Sequence, residues 1–342
     1  MERQSSADGR HPAPLVSVIV PAYRVEKFVA DTLRSVQAQT LTDWECLVVD
    51  DGSDDETAGV VADFLAADSR IRLLRQANLG LSEARNSGLR CATPGAQYVA
   101  FLDSDDLWCE DALEHLVEAL EKDPNAVGAF GYAELINEIG KPILSGFHRA
   151  RQSRRRRATW WGIRGLSASQ PVRFEDWVVY APLWPPAVGL HRRKVVDLVG
   201  FFDPQLKQLE DVDFYIRMSR HGYYRPIDHH VAWYRQHDGQ MTKRTAEFWY
   251  FYDALRHKTW ASELNTRKQR RSVVVAWRVA QGRRIARCMK LLAAAVFRRQ
   301  WTETGRLTKA CLVLIGQGIR SGPPRARHGH VNLDFYLGGR DT

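Results

Sequence analysis

The sequence predicts a doubly wound α/β fold, in which helices cover both faces of a mostly parallel sheet. Short apolar runs of strand length alternate with amphipathic helical segments four times within the first third of the chain. Polar residues follow three of these runs, beginning at Asp50, Asn78 and Asp103. Because ligands bind at the carboxyl ends of the strands in such a sheet, we expect these polar residues to converge on one site.

The first strand is predicted at 15–20, a near-continuous apolar run closed by Pro21 that is typical of a central parallel strand. Between Val25 and Val36, apolar side chains recur at helical spacing and predict a helix that packs on the sheet. We expect Ser53 or Asp54 to cap the second helix. The same patterns predict strands at 45–49, 71–74, 98–102, 127–131, 186–190 and 231–234, and helices around 60–65, 82–90, 112–120, 195–199 and from 210.

Three carboxylates, those of Asp103, Asp105 and Asp106, follow the strand at 98–102 directly. Clustered carboxylates raise one another's pKa, and a divalent cation that prefers oxygen ligands relieves this repulsion. The alternative is a solvated turn that caps a helix beginning near Cys109. Composition alone does not separate these two interpretations.

A second acidic group, Glu210-Asp-Val-Asp213, opens a predicted helix. The helix dipole favours acidic residues there, but stability alone does not easily explain three in four positions. His237 follows the strand at 231–234, and a lone histidine is more often structural than a ligand. The arginine-rich run at 154–157, followed by two tryptophans, fits either a solvated loop or a lid that attracts an anionic acceptor.

Charge is distributed unevenly along the chain. Residues 1–242 carry 28 Lys and Arg against 34 Asp and Glu, whereas residues 243–342 carry 21 against 6. The split predicts a catalytic or folded body at 15–242, followed by a basic helical region at 243–320. Polar, proline-containing ends predict a flexible lead-in at 1–14 and a flexible tail at 321–342. The uncharged runs of the basic region are too short to span a bilayer, so it is expected either to lie on anionic lipid or to pack on the catalytic domain.

The ordered motifs make the chain resemble the family 2 glycosyltransferases, which have the GT-A fold, a Rossmann-like and mostly parallel sheet flanked by helices. The resemblance covers roughly residues 15 to 240. It is carried by Val16-Ser-Val-Ile-Val-Pro-Ala-Tyr23, Val49-Asp-Asp-Gly-Ser53, Asn78-x-Gly80, Ala84-Arg-Asn86, Asp103-Ser-Asp105, Gly200-Phe-Phe-Asp203, Glu210-Asp211 and Tyr234-Arg-x-His237.

The resemblance implies a site for a nucleotide-diphosphate sugar, a UDP-sugar above all, with Mg²⁺ or Mn²⁺ as cofactor. It implies metal ligation by Asp105 with Asp103 and His237, and a general base at Asp211 with Glu210 beside it. One base opposite the leaving group implies inversion at the anomeric carbon. The implied donor-binding residues are Pro21, Ala22, Tyr23, Asp50, Asp51, Asn78, Arg85, Asn86, Asp103 and Ser104, with Asp51 as the uracil contact.

The expected acceptor is a hydroxyl of a glycan or a lipid-linked glycan, in cell-surface polysaccharide biosynthesis, with a hexosyltransferase-like activity. The five cysteines show no paired spacing, which indicates the cytoplasm, and the basic region adds a peripheral position at the inner face of the membrane. Alternatives are a metal-dependent nucleotidyltransferase of similar fold and a non-catalytic protein that binds anionic surfaces through its basic tail. No nucleic-acid partner is expected, because the front of the chain is acidic. A dinucleotide-dependent oxidoreductase is not expected either, because the sequence lacks a GxGxxG fingerprint after the first strand.

Overall fold

The computed structural model describes residues 13–144, 156–159, 162–179, 185–240, 248–297 and 301–318. These residues form two compact units. The first takes 13–144, 167–173 and 185–237, and the second takes the remaining described residues.

The first unit is built on a mixed, mostly parallel sheet. Its strands are β1 (Val16–Ala22), β2 (Trp44–Asp50), β3 (Ile71–Arg75), β4 (Tyr98–Phe101), β5 (Leu107–Trp108), β6 (Ala126–Ile136), β7 (Pro142–Leu144), β10 (Gly189–Arg192) and β11 (Tyr223–Arg235). Their order is β3-β2-β1-β4-β10-β6-β11-β5, with β7 paired to β6. Strands β3, β2, β1 and β4 are parallel, and β10 is antiparallel to both of its neighbours. The predicted α/β sheet is thus confirmed.

Helices flank this sheet. They are α1 (Val29–Gln37), α2 (Thr57–Ala67), α3 (Leu81–Cys91), α4 (Ala112–Glu121), α6 (Arg193–Val199) and α7 (Glu210–Met218). Helix α1 shows why the sequence pattern works, since its buried residues, Val29, Thr32, Leu33 and Val36, lie three or four positions apart. Every residue of β1 and of β2 is buried, as expected for parallel strands covered on both faces.

The parallel register places the polar strand ends together. Ala22 of β1 lies opposite Asp50 of β2, and Ile19 lies opposite Phe101 of β4. Residues after β2 and after β4 therefore leave the sheet at the same edge. This is the convergence that the alternation of strands and helices predicts.

Two predicted helix caps are wrong. Neither Ser53 nor Asp54 caps α2, because that helix begins two residues later, after Glu56. Asp106 does not cap α4, because the strand β5 intervenes and the helix begins only at Ala112. A two-residue strand carries too short a pattern to be found by periodicity, yet it pairs with Ala232 and Trp233 of β11.

Several strand bounds also differ from the predicted ones. Strand β11 begins at Tyr223, a residue that the apolar pattern assigns to the preceding helix. Its early residues alternate between buried and exposed positions, a signal that charged and histidine side chains hide. At 186–190, Pro186–Val188 forms a 3₁₀ turn, and the strand begins at Gly189.

The second unit combines a hairpin with helices. Its elements are β8 (Arg156–Thr159), β9 (Gly162–Gly165), α5 (Phe174–Trp177), α8 (Phe248–Ala261), α9 (Arg267–Phe297) and α10 (Trp301–Gly318). Helix α9 packs against the hairpin, α5, α8 and α10. None of the helices in the described ranges has the length and hydropathy required to cross a bilayer.

Part of the arginine-rich run belongs to this second unit. The guanidinium of Arg157 donates two hydrogen bonds of 2.8 Å to the carboxylate of buried Asp176. Arg157 is therefore not a solvated loop residue. The rest of the run up to residue 155, and the two tryptophans at 160 and 161, lie outside the described residues.

A clamp made by Asn86 joins α3 to the turn before α7. The side-chain Oδ1 accepts a 2.8 Å hydrogen bond from the backbone N–H of Phe202, and Nδ2 donates to the Phe202 carbonyl at 3.0 Å. Both residues are buried. Because this pairing reproduces that of a sheet ladder, it fixes the Gly200-Phe-Phe-Asp203 turn, which the sequence carries as a motif.

Replacing Asn86 with alanine is expected to lower the free energy of unfolding by about 2–6 kcal/mol. The change leaves the buried N–H and C=O of Phe202 without their partner, and each unpaired group costs about 1–3 kcal/mol. Urea denaturation of the full chain measures the change. The matched control is Asn78→Ala, at an exposed position, for which a change within about 0.5 kcal/mol is expected. Equal effects of the two substitutions would contradict the clamp.

Candidate active site

Four elements of the first unit meet at the carboxyl end of the parallel strands. Asp103 and Asp105 follow β4, α3 supplies Arg85, α7 begins at Glu210, and β11 ends two residues before His237. The side chains of these residues contact one another in two groups, one around Arg85 and one around Asp105. The structure therefore brings into contact residues that lie up to 132 positions apart in the sequence.

The guanidinium of Arg85 is the centre of the first group. Its two terminal nitrogens donate to Asp103 Oδ1 at 2.7 Å and to Glu210 Oε1 at 2.6 Å, and the side chain is almost fully buried. Burial alone lowers the pKa of Arg85, but the attraction of Asp103, Glu210 and Asp211 outweighs it and holds the pKa above its usual value. Arg85 thus stays a cation and keeps β4, α3 and α7 together.

Asp211 sits beside this cation without an ion-pair contact to it in the described residues. Its Oδ1 accepts the backbone N–H of Val212 at 2.7 Å, and its side chain is partly exposed. Partial burial of the carboxyl, followed by repulsion from Glu210, raises the pKa of Asp211 to about 7. A carboxyl with this pKa can accept a proton near neutral pH, which is what a general base requires.

The backbone before α7 is strained. Leu209 precedes Glu210 with a φ of +62°, in the left-handed region that non-glycine residues seldom adopt. Such a conformation costs on the order of 1–3 kcal/mol and persists only where the surrounding structure holds it. Here the ion pair of Glu210 with Arg85 holds the start of the helix, so Asp211 is presented at a fixed position.

Asp105 and His237 form the second group. The Nε2 of His237 lies 2.9 Å from Asp105 Oδ2, and both side chains are partly exposed to solvent. The imidazole ring also packs against Phe28 at 4.6 Å between ring centroids. Asp103, the third predicted ligand, is instead engaged with Arg85. Burial raises the pKa of Asp103 and repulsion from Asp105 adds to it, although Arg85 opposes the shift.

Arg235, which was not among the predicted site residues, ties the end of β11 to the acidic turn, which is formed by residues 103–106. Its backbone N–H donates to Asp106 Oδ1 at 3.0 Å, and its Nε donates to the Asp105 carbonyl at 2.8 Å. The side chain is buried and also reaches the carbonyl of Glu138 at 2.6 Å. Its place in the Tyr-Arg-x-His motif was the only available signal, because its partners lie about a hundred residues earlier or more.

Asp106 is a buried acid rather than a helix cap. Its Oδ2 has no hydrogen-bond partner among the described residues, while Oδ1 accepts from Arg235. Burial raises the pKa of Asp106 well above its usual value, and repulsion from Asp105 and Asp103 adds to the shift. The turn is held from the other side by Thr32, whose hydroxyl donates to the carbonyls of Ser104 and Asp106.

The predicted base-binding aspartates organise loops. Asp51 accepts the backbone N–H groups of Leu79 and Gly80 at 2.9 and 2.8 Å, and Asp50 pairs with Arg75 at 3.0 Å. The glycine of the Asp-Asp-Gly motif, Gly52, has φ +77°, and a Cβ there would lie 2.8 Å from the Asn78 backbone nitrogen. The loop after β2 and the loop before α3 are therefore fitted to each other. A contact of Asp51 with uracil stays a prediction.

The remaining predicted donor-binding residues lie at the same edge of the sheet or beside it. Pro21 and Ala22 are the buried last residues of β1, and Tyr23 and Asn78 are exposed next to them. Ser104 is buried in the acidic turn, and the side-chain amide of Asn86 is engaged by Phe202. Their contacts with a donor stay predictions.

This arrangement can do two kinds of chemistry. Asp105 and His237 offer an oxygen and a nitrogen to a divalent cation, and Asp211 offers a carboxylate to a proton. Arg85 lies between the acidic turn and the start of α7. Its fixed positive charge therefore separates the possible metal ligands from Asp211, the possible base.

Comparison with known proteins agrees with the motifs. Residues 17–176 match the model of Glycosyl transferase family 2. The putative teichuronic acid biosynthesis glycosyltransferase TuaG of Bacillus subtilis (strain 168) is 38% identical over 136 residues, which are 40% of this chain and 53% of TuaG. The UDP-Glc:alpha-D-GlcNAc-diphosphoundecaprenol beta-1,3-glucosyltransferase WfgD of Escherichia coli is 40% identical over 131 residues, 37% of this chain and 50% of WfgD. The matches thus span about half the length of these curated relatives.

The fold of this chain resembles that of solved structures of S. aureus TarS. TarS 1-349 in complex with UDP-GlcNAc has a TM-score of 0.58 at 19% identity, covering 76% of this chain and 70% of that one. A second structure of TarS 1-349 gives a TM-score of 0.58 at 17% identity and covers 89% and 80%. The likeness to TarS shows that the fold is GT-A. With the motifs and the family match in agreement, residues 17–176 form a family 2 glycosyltransferase domain.

Proposed function

We propose that the chain is an inverting, metal-dependent glycosyltransferase that moves a sugar from a UDP-sugar to a hydroxyl of a lipid-linked glycan. The observation that carries this proposal is Asp211, a carboxyl whose pKa is raised to about 7 and which lies beside the Arg85, Asp103 and Glu210 cluster. A base with a pKa near neutral, beside carboxylates that can bind a metal ion, suits attack by a hydroxyl on an activated sugar.

Asp211 acts as the general base. Its carboxylate accepts the proton of the acceptor hydroxyl as that oxygen attacks the anomeric carbon, and the bond from the anomeric carbon to the diphosphate breaks on the opposite face. One displacement of this kind inverts the anomeric configuration. Glu210 positions the base, because its ion pair with Arg85 anchors the first turn of α7.

The donor set at Asp105 and His237 fits a divalent cation. A carboxylate and an imidazole nitrogen 2.9 Å apart, both partly exposed, provide a mixed oxygen and nitrogen pair, which suits Mn²⁺ better than Mg²⁺. When bound, such an ion neutralises the charge that develops on the diphosphate leaving group. Arg235 holds the Asp105 backbone and the strand before His237, so it orients both ligands.

The donor and acceptor classes rest on the relatives. TarS binds UDP-GlcNAc, and WfgD is named for transfer of glucose from UDP-Glc to a sugar on diphosphoundecaprenol. TuaG is named for teichuronic acid biosynthesis. We therefore place this chain in cell-surface polysaccharide biosynthesis, with UDP as the nucleotide and an isoprenoid-diphosphate glycan as the acceptor.

A substitution at Asp211 tests the base. Asp211→Asn is expected to lower kcat about 10²–10⁴-fold, because the amide cannot accept the proton, while the affinity for the UDP-sugar is unchanged. Steady-state transfer assays and calorimetric titration with UDP-sugar provide the two measurements. An equal loss of donor affinity would contradict the assignment.

The pH dependence of the same pair gives a second check. The carboxylate form is the active one, so kcat/KM of the wild type should rise as pH increases through about 7 and level off above it. This rise should be missing from the residual activity of Asp211→Asn. A wild-type profile that is flat from pH 6 to pH 8 would assign the base to another group.

Asp105→Ala is expected to abolish the part of UDP affinity that depends on Mn²⁺. UDP titrations with Mn²⁺ and with a chelator should differ for the wild type and coincide for the variant. The matched control is Asp54→Ala, whose carboxylate is exposed and pairs with Arg24 away from the acidic turn. If Asp105→Ala kept its Mn²⁺ dependence, the metal role of Asp105 would be lost.

The basic helices give a separate prediction about the membrane. Helix α9 carries Arg267, Lys268, Arg270, Arg271, Arg278, Arg283, Arg284, Arg287 and Lys290. In a flotation assay, we expect the full chain to rise with liposomes that contain phosphatidylglycerol and to remain at the bottom of the gradient with phosphatidylcholine alone. High salt should abolish flotation. Equal flotation with both lipids would contradict an electrostatic attachment.

A further inference from the structure

The first unit contains a second group of metal-ligating side chains, apart from the acidic turn. Asp111 immediately precedes α4, His115 lies one turn into that helix, and His229 lies on β11. Their ligand atoms all lie within 4.8 Å of one another. In the part of the chain that the structure describes, this is the one group of three or more such residues with that spacing. We infer that Asp111, His115 and His229 form a binding site for Zn²⁺.

The distances match those within a zinc coordination sphere. The Nε2 atoms of His229 and His115 lie 3.1 and 3.4 Å from the same oxygen, Asp111 Oδ2. With bonds to zinc of about 2.0–2.1 Å, two ligands at a tetrahedral angle are separated by about 3.3 Å. Two of the three separations between ligand atoms are therefore close to that spacing, and the third lies within 4.8 Å.

The local structure shows that Asp111 does not have the usual role of its position. Aspartate directly before a helix ordinarily accepts a backbone N–H of the first turn, yet Asp111 makes no such side-chain cap. Its Oδ2 faces the two imidazoles instead, and the imidazole rings pack against each other at a 39° tilt, with 3.8 Å between centroids. The (i, i+4) spacing of Asp111 and His115 places both on one face of the helix, opposite His229.

The ligand chemistry separates this site from the acidic turn. Two imidazoles and one carboxylate favour zinc over Mg²⁺ or Mn²⁺, which prefer oxygen ligands. His229 lies six residues before Arg235 on the same strand, at most about 20 Å away because the strand is irregular around His230. Zinc here would not touch the sugar donor. It ties the start of α4 to β11, with a water molecule in the fourth position.

Zinc binding to the untagged full-length chain tests the site. The titration contains excess Mn²⁺, the ion proposed for Asp105 and His237, so that this pair is already occupied. We expect one zinc ion per chain by atomic emission, and a loss of zinc affinity of at least 10-fold in His115→Gln and in His229→Gln. His221→Gln, at an exposed histidine outside the group, is the matched control and should bind as the wild type does.

Folding and a neighbouring thiol are controlled in the same experiment. UDP affinity in Mn²⁺ should be unchanged in both histidine variants, which shows that the domain is folded. Cys109 lies 3.5 Å from His230 and offers another nitrogen and sulfur pair. Zinc that is lost in Cys109→Ser but kept in His115→Gln would overturn the inference, as would a wild type that binds no zinc.

Discussion

The candidate active site depends on one buried cation, the guanidinium of Arg85. It is the charge partner of Asp103 and Glu210, and it offsets part of the repulsion that reaches Asp211. Removing one member of a buried ion-pair group typically costs about 3–5 kcal/mol, because the charges left behind are no longer compensated. Arg85 therefore links two segments that are more than a hundred residues apart, and it sets the electrostatic environment of the proposed base.

The antiparallel pairing of β5 with β11 positions both groups of candidate metal ligands in this unit. Leu107 and Trp108 pair with Trp233 and Ala232, so the chain before β5 meets the end of β11, and the chain after β5 meets its middle. The first meeting joins Asp105 to His237, and the second brings Asp111 near His229. One short strand thus positions both the mixed oxygen and nitrogen pair and the group with two imidazoles, at separate places along the same ladder.

Helix α7 is held in place by aromatic side chains that pack between it and β4. Phe202 and Phe214 stack at 4.5 Å, and both pack against Phe101 at the end of β4. His191 is enclosed in the same cluster, and burial lowers its pKa to about 3, so it behaves as a neutral aromatic ring. The clamp of Asn86 on Phe202 joins this cluster to α3. This aromatic cluster therefore supports the strained backbone at Leu209 from the side of α7 that faces the sheet.

The sequence by itself determined the fold class, the family and the identity of the acidic residues. Alternating apolar runs and helical periodicity are local signals, and the parallel register follows from them, which is why Asp50 and Asp103 could be expected at one edge of the sheet. Tertiary structure decided the partners. Arg85 bridges Asp103 and Glu210, Arg235 orders the acidic turn, and Asp106 is buried rather than a helix cap. These features all depend on contacts across 18 to 130 positions. Spacing along the chain carries no information about such contacts, because they arise from how the helices pack and how β5 pairs with β11.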